Sequence, residues 1–256
     1  MSTPKAIFFD LDGTLLSKGK LMESAKEALF YAKEKGVLLF VATGRHRNEF
    51  ENMPWFPGLP FDGFVTMNGA YCYVGEEVIF KSPIPKAAIR TVAEYITGNP
   101  IYCMFCEADG SYANLSDQWI EAAQLSYGLS IPPIRDPMSA IDADIYQMVF
   151  IGNELRDYVQ RLPDCNITSW AEGCYDVVPA GVNKWVGILP MLERFGLKPG
   201  EVAAAGDGQN DIEMLTGAGF SVAMGNAPDD VKACAGFVTG HVDDDGLLKA
   251  VRHLLG

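Results

Sequence analysis

Two aspartates that follow a short apolar run are the residues of this sequence best placed to do chemistry. Asp10 comes directly after residues 6–9, Ala-Ile-Phe-Phe, and Asp12 follows two residues later. This run is short and apolar enough for a buried strand of a parallel sheet, and side chains two residues apart lie on the same face of a strand. Two carboxylates with no His or Cys nearby favour a hard cation such as Mg²⁺. The sequence therefore predicts an acidic edge at the end of this strand, where open parallel sheets bind ligands.

The residues after the two aspartates leave a simpler interpretation open. Gly13 allows a sharp backbone turn close to a ligand, and Thr14 supplies a hydroxyl group. The same residues could form a plain turn after a strand. An EF-hand calcium loop is disfavoured, because that loop needs a third oxygen ligand before its glycine and a glutamate at its twelfth position.

Further polar residues follow other apolar runs, at residues 37–42 and 202–205. If these runs are parallel strands, the same sheet edge collects Thr43, Gly44, Arg45, Asp207, Asn210 and Asp211, with Lys184 at the start of the intervening helix. Thr43 and Asp211 could instead cap helices. Asp207 could be a turn residue, and Lys184 could be a solvated lysine. Taken together, these residues fit one site.

The pattern of the first and last parts of the chain predicts alternating strands and helices. Ser24 and Glu27 have the spacing of a capping box, and the apolar face of the following helix ends near Gly36. The remaining predicted elements are strands at 64–67, 202–205, 221–224 and 237–239, a hairpin at 71–80, and helices at 183–195, 228–235 and 246–255. This arrangement is typical of an α/β fold with a parallel sheet.

The middle of the chain has a different texture. From about residue 84 we predict a helix to residue 96, strands at 101–106, 111–115, 146–152 and 174–178, and a helix from Asp117. We therefore predict a core domain of residues 1–83 and 182–256, into which an α+β domain of residues 84–181 is inserted.

Composition limits the function classes. The chain has 256 residues, of which 48% are hydrophobic and 21% charged, as in an ordinary globular protein. The net charge of −13 disfavours a basic nucleic-acid-binding surface. Neither a secretory signal nor an apolar run of membrane-spanning length is apparent, and the six scattered cysteines suit reduced thiols. We expect a cytoplasmic protein that is a monomer or a weak homodimer, with neither nucleic acid nor membrane as a partner.

The polar segments resemble the four motifs of the haloacid dehalogenase superfamily of phosphohydrolases. The matching segments are residues 10–14 (Asp-Leu-Asp-Gly-Thr), Thr43, Lys184, and Gly206-Asp207 with Asn210-Asp211. Residues 68–70 (Asn-Gly-Ala), 223–227 and 245–246 resemble its Cof-type branch, subclass IIB. The resemblance implies a Rossmann-like doubly wound parallel sheet with an inserted α+β cap domain of the C2 type. In this branch the cap is inserted between the second and third motifs.

The resemblance also implies roles for these residues. Asp10 would be the nucleophile that forms an aspartyl-phosphate, and Asp12 the general acid and base. Thr43 and Lys184 would hold the phosphoryl oxygens. The phosphate- and substrate-binding set would be completed by Gly44, Arg45, Asn68 and Asn210, and the Mg²⁺ site would comprise Asp10, the backbone carbonyl of Asp12, Asp207 and Asp211. For Asp211 and Asn210, orientation of waters or of Lys184 is an alternative role.

The implied activity is hydrolysis of phosphate monoesters of small metabolites, with sugar phosphates favoured. A phosphotransferase or phosphomutase would use the same aspartyl-phosphate, and a metabolite-binding protein without turnover is a third hypothesis. Trp185 stands where the family commonly has glycine, a departure that bears on substrate choice and leaves the catalytic carboxylates of the resemblance untouched. Candidate substrate contacts are Tyr146, Trp170, Trp185, Arg47 and the loop around Glu172 and Gly173.

Overall fold

In a computed structural model, residues 3–126, 129–152 and 155–256 are described. The first part of the chain contains β1 (Ala6–Phe9), β2 (Leu16–Ser17), β3 (Lys20–Leu21), α1 (Glu23–Glu34), β4 (Leu38–Ala42), β5 (Gly63–Thr66), β6 (Tyr71–Val74) and β7 (Glu77–Lys81). The inserted part contains α2 (Lys86–Gly98), β8 (Tyr102–Cys106), β9 (Ser111–Ala113), α3 (Gln118–Ser126), β10 (Gln147–Ile151), α4 (Arg156–Val159), β11 (Cys165–Ala171) and β12 (Cys174–Pro179). The last part contains α5 (Lys184–Phe195), β13 (Val202–Gly206), α6 (Ile212–Gly217), β14 (Phe220–Ala223), α7 (Asp229–Ala233), β15 (Phe237–Val238) and α8 (Gly246–Leu255).

A central sheet of eight strands carries the predicted site. Its strand order is β15-β14-β13-β1-β4-β5-β6-β7. Every pair from β15 to β5 is parallel, and β6 and β7 add an antiparallel edge. β1 lies between β13 and β4 in the sheet, and all four of its residues are fully buried. This is the predicted parallel-dominated α/β fold, with Asp10 directly after its central strand.

Helices cover both faces of the central sheet, as the alternation of side chains along each strand requires. Ile7 and Phe9 pack with buried residues of α1 and α8 on one face. Phe8 packs on the other face with buried residues of α5 and α6. One local prediction is wrong: α1 begins at Glu23 after the N-cap residue Met22, so Ser24 lies inside the helix and forms no capping box.

The inserted part forms a second, antiparallel sheet of five strands in the order β11-β12-β10-β8-β9. β11 and α4 were not predicted. The sequence of β11 mixes polar and apolar residues, in keeping with side chains that are mostly half-buried. One face of this sheet packs on α2. The other face packs in one apolar cluster with core residues between 67 and 73, a segment that follows β5 and runs into β6. The second sheet therefore lies over one end of the central sheet.

We call residues 84–181 the cap and the remaining residues the core, although these exact limits stay a prediction. Within the described residues, no helix is long and apolar enough to cross a membrane.

Candidate active site

Three aspartates meet at the carboxyl edge of the central sheet. Asp10 follows β1, Asp207 follows β13, and Asp211 lies at the start of α6. The N–H of Asp10 donates to the carbonyl of Ala205 (2.9 Å), which continues the pairing of β1 with β13 beyond the strand end. Carboxylate oxygens of the three aspartates lie within 4.8 Å of one another. The predicted convergence of the first and fourth motifs is therefore present.

Lys184 places a buried positive charge between two of these carboxylates. It is the first residue of α5, and the Oδ1 atom of the N-cap residue Asn183 accepts a hydrogen bond from the N–H of Val186 (2.9 Å). The Nζ atom of Lys184 is fully buried and donates to Oδ1 of Asp10 and to Oδ1 of Asp211, both at 2.6 Å. Burial lowers the pKa of Lys184, but the two carboxylates outweigh burial and raise the pKa above its ordinary value. Lys184 therefore stays charged.

The second oxygen of Asp211 holds the motif-four loop. Its Oδ2 atom accepts hydrogen bonds from the backbone N–H groups of Asp207 and Gly208, both at 2.9 Å. With Lys184 on its other oxygen, Asp211 orients both the loop and the lysine.

Asp207 is fixed by neutral donors. The hydroxyl of Thr14 donates to Oδ1 (3.3 Å), and the side-chain amide of Asn226 donates to Oδ2 (2.9 Å). Asn226 was not predicted as a site residue, although it lies in the 223–227 segment that resembles the Cof-type branch. Gly13 passes so close to Asp207 that a Cβ atom there would lie 2.0 Å from its Oδ2 atom. The glycine is thus needed for this close approach.

Crowding of negative charge shifts the proton affinity of the cluster. Burial and the neighbouring carboxylates raise the pKa of Asp10 well above its ordinary value, against the effect of Lys184. Burial, followed by the charge of Asp211, raises the pKa of Asp207 to about 7. A divalent cation among these groups would oppose both shifts, because nearby positive charge favours the ionised carboxylate.

The side chain of Asp12 lies apart from the other three aspartates. Arg45 donates from Nε to Oδ2 and from Nη2 to Oδ1 of Asp12, both at 2.7 Å. The Asp12 side chain is 51% exposed, whereas that of Arg45 is 8% exposed. Thr43 lies beside this pair, and its hydroxyl oxygen accepts the backbone N–H of Arg45 (3.1 Å). The second motif therefore contacts the first through a two-point, charge-assisted pair.

A cavity of about 460 Å³ opens above these groups, between the core and the cap. Most of the predicted site residues line it. The three that do not line it are Asn68, Lys184 and Asp211, which are buried. The volume suits a small molecule rather than a polymer.

A chain of amide hydrogen bonds joins the core to the cap. The side-chain nitrogen of Asn68 donates to Gln147 (3.0 Å) and to Asp176 (2.8 Å) of the cap. The side-chain oxygen of Asn68 accepts the amide of Asn210 (2.8 Å), and Gln147 donates to the carbonyl of Gly44 (2.9 Å). Asn68 has a φ of 51°, a left-handed conformation that asparagine tolerates better than most residues. These hydrogen bonds link the cap sheet and the loop that contains Asn210 to one core residue, Asn68.

Comparison with known proteins places this geometry in a family. Residues 7–251 match the haloacid dehalogenase-like hydrolase family. The chain belongs to this family. The putative phosphatase YkrA of Bacillus subtilis (strain 168) is 32% identical over 257 residues, which cover 98% of this chain and 97% of YkrA. The pyridoxal phosphate phosphatase YbhA of Escherichia coli (strain K12) is 28% identical over 279 residues, 99% of this chain and 100% of YbhA.

A solved structure agrees over almost the whole chain. The HAD subclass IIB sugar phosphatase BT4131 superimposes with a TM-score of 0.90 and 36% sequence identity, over 97% of this chain and 98% of that one. The predicted resemblance to the Cof-type branch is therefore confirmed, and the chain is a phosphoric monoester hydrolase of the haloacid dehalogenase type.

The substrate contacts that were predicted from the sequence of this hydrolase agree only partly with the residues that line the cavity. Trp170 lines the cavity. Tyr146 is instead buried against Tyr71, with ring centres 5.0 Å apart, and Trp185 packs against Gly217 of α6. Arg47 pairs with Glu51 (3.0 Å) and is not among the cavity-lining residues, nor is the loop of Glu172 and Gly173.

The polar residues of the cap wall were missed by sequence reasoning. Gln147, Ser169 and Asp176 line the cavity. Gln147 and Asp176 lie in strands whose apolar neighbours gave the only visible pattern, and Ser169 lies in β11, which was not predicted. No sequence signal therefore separated these three from other polar residues.

Proposed function

We propose that this haloacid dehalogenase-like hydrolase is a Mg²⁺-dependent phosphatase of small phosphorylated metabolites, with sugar phosphates favoured. The observation that carries the proposal is Lys184, buried between Asp10 and Asp211 beside Asp207, under a cavity of about 460 Å³. The similarity to the sugar phosphatase BT4131 supports sugar phosphates as substrates. The net charge of −13 supports the expectation that nucleic acid is not a partner.

The donor set fits a hard divalent cation. Asp10, Asp207 and Asp211 offer only carboxylate oxygens within 4.8 Å of one another, and such oxygens are the ligands that Mg²⁺ prefers. We assign Asp10, Asp207 and the backbone carbonyl of Asp12 as protein ligands. Asp211 already accepts three hydrogen bonds, which supports the orienting role. Bound Mg²⁺ would supply positive charge to the phosphoryl oxygens and keep Asp10 ionised.

Asp10 is proposed as the nucleophile. Lys184 occupies its Oδ1 atom, and we assign the attack on phosphorus to Oδ2. The new Oδ2–P bond forms as the bond from phosphorus to the leaving oxygen breaks. Lys184 also lies where it can offset phosphoryl charge, so the barrier falls by positioning and electrostatics.

Asp12 is proposed to move the protons. It donates a proton to the leaving oxygen in the first step. In the second step its carboxylate takes a proton from a water that attacks phosphorus, which breaks the Oδ2–P bond and releases inorganic phosphate. Arg45 donates to both carboxylate oxygens of Asp12, so this pair must loosen before either oxygen can contact the leaving group or the attacking water.

Thr43 is proposed to bind the phosphoryl group. Its hydroxyl oxygen already accepts the N–H of Arg45 (3.1 Å), so its proton is available for a phosphoryl oxygen.

Release of inorganic phosphate from a panel of sugar phosphates, nucleotides and cofactor phosphates tests the proposal. We expect Mg²⁺-dependent release by the wild type, no release in chelator, and none by Asp10→Asn. Asp243→Asn, at a side chain that is 52% exposed, is the matched control and should retain activity. Circular dichroism and thermal unfolding check that each variant folds.

Two outcomes would contradict the proposal. Appreciable turnover by Asp10→Asn would remove Asp10 from the nucleophile role. Isomerised sugar phosphate without phosphate release would show the phosphomutase reaction instead.

A further inference from the structure

Asp176 of β12 places a buried carboxylate in the cap wall of the cavity. The residue is 6% exposed. Its Oδ2 atom accepts the side-chain amide of Asn68 (2.8 Å), and its Oδ1 atom accepts the indole N–H of Trp170 (3.1 Å). Among the described residues, both partners are neutral. No ion pair between described residues involves Asp176, so it brings an unpaired negative charge to the cavity among these residues, whereas Asp10 is paired with Lys184.

The described residues in the rest of the cap wall offer no compensating positive charge. Within the described part of the chain, the other cap residues that line the cavity are neutral: Met104, Leu129, Gln147, Val149, Ser169 and Trp170. Arg45 of the core is the one basic residue among the described lining residues, and it holds Asp12 by two hydrogen bonds. Lys184 is held by Asp10 and Asp211 below the floor.

Gly44 brings this carboxylate close to the second motif. A Cβ atom on Gly44 would lie 3.1 Å from Oδ2 of Asp176 and 3.1 Å from the side-chain nitrogen of Asn68. Asp176 therefore lies against the residue that follows Thr43. Asp10 and Asp176 line the same cavity, so a leaving group attached to a phosphate at Asp10 would share that cavity with this carboxylate.

We propose that Asp176 selects the leaving group by charge. It accepts hydrogen bonds from hydroxyl or ammonium groups, and it disfavours leaving groups that carry a carboxylate or a second phosphate. This inference rests on the proposed function for the position of the reacting phosphate. The physical reason is that an anionic group would face a like charge in a partly dry cavity and would lose its hydration without gaining a cation.

Pairs of substrates that differ only in charge test the inference. Glycerol 3-phosphate and 3-phosphoglycerate differ by a terminal hydroxymethyl or carboxylate group, and glucitol 6-phosphate and 6-phosphogluconate repeat the comparison on a longer chain. Assays at pH 8 keep Asp176 ionised, because burial raises its pKa to about 7. In one or both pairs, we expect kcat/KM of the wild type to be at least about tenfold higher for the compound whose leaving group is uncharged than for the compound whose leaving group carries a carboxylate.

Two variants separate charge from shape. Asp176→Asn keeps the size of the side chain. It should reduce the ratio of kcat/KM between the uncharged and the carboxylate-bearing leaving group at least about fivefold, through a rise in kcat/KM for the carboxylate-bearing compound. A structural defect would lower both members together. Trp170→Phe removes a donor to Asp176 but leaves its charge, so the ratio should be retained.

Binding in chelator gives a second, independent readout. Isothermal titration of the same four compounds to the wild type and to Asp176→Asn should show the same preference for neutral leaving groups without turnover. No phosphate release from any compound, with this binding preference intact, would overturn the proposed function and leave the role of Asp176 supported. Ratios within about twofold of one in both readouts, or unchanged ratios in Asp176→Asn, would overturn the inference.

Discussion

Replacement of Lys184 by methionine should show how much the buried charge stabilises the core. Methionine has a similar unbranched shape, so little space is left unfilled. The change leaves the Asp10 and Asp211 carboxylates, each 2.6 Å from the lysine nitrogen, without their cation. Removal of one partner from a buried ion pair costs about 3–5 kcal/mol. Partial protonation of Asp10 offsets part of this cost, because its pKa is already raised by burial.

The measurement is the free energy of unfolding in urea at pH 7.5, with chelator present so that metal cannot replace the lysine. We expect Lys184→Met to lower it by about 3 kcal/mol, the lower end of that range, because protonation of Asp10 offsets part of the cost. Lys5→Met is the matched control: Lys5 and Glu201 are 2.5 Å apart, but their side chains are 60% and 31% exposed. Solvent screens such an exposed pair, so the same substitution there should cost little.

A second variant tests the assigned cause. Asp211→Asn in the Lys184→Met background removes one uncompensated charge, and its side-chain oxygen can still accept the N–H groups of Asp207 and Gly208. We expect this double variant to recover at least about 1 kcal/mol. If Lys184→Met were no more destabilising than Lys5→Met, or if the second change gave no recovery, the buried lysine would not be compensating these carboxylates.

Two further predictions concern backbone geometry and pH. Gly13→Ala should lower the free energy of unfolding by about 1–2 kcal/mol, because φ at Gly13 is +76°. It should also lower Mg²⁺-dependent phosphate release at least about 100-fold, because the added Cβ atom would displace Asp207. The control Gly75→Ala, at a φ of +56° with open space around it, should lose stability but retain activity. Burial raises the pKa of Asp176 from 3.8 to about 7, so its buried carboxyl group makes folding progressively less favourable as pH rises between these values, by about 4 kcal/mol in total. The free energy of unfolding of Asp176→Asn minus that of the wild type should therefore rise between pH 4.5 and 7.5 and then level off; a difference that is independent of pH would contradict the raised pKa.

The sequence was sufficient to predict the floor of the site. Short apolar runs identify β1, β4 and β13 as buried strands, and parallel strands end at one edge. Asp10, Thr43 and Asp207 could therefore be placed together before any contact was known.

Contacts between distant segments could not be predicted from the local patterns of strands and helices. Arg45 pairs with Asp12, 33 positions away, and Asn68 contacts Asp176, 108 positions away. Trp185 was predicted as a candidate substrate contact, yet the packing of α5 on α6 directs it to Gly217. Such pairings follow from how sheets and helices dock, which no local pattern encodes.

The sequence by itself determined which polar groups meet at the end of β1, because strand periodicity and strand direction place them at one sheet edge independently of the details of packing. Only the tertiary structure decided which cap residues line the cavity above this edge. The antiparallel cap sheet has one face on α2 and the other toward the core, and the docking of that second face selects Gln147, Ser169 and Asp176 from many similar polar strand residues.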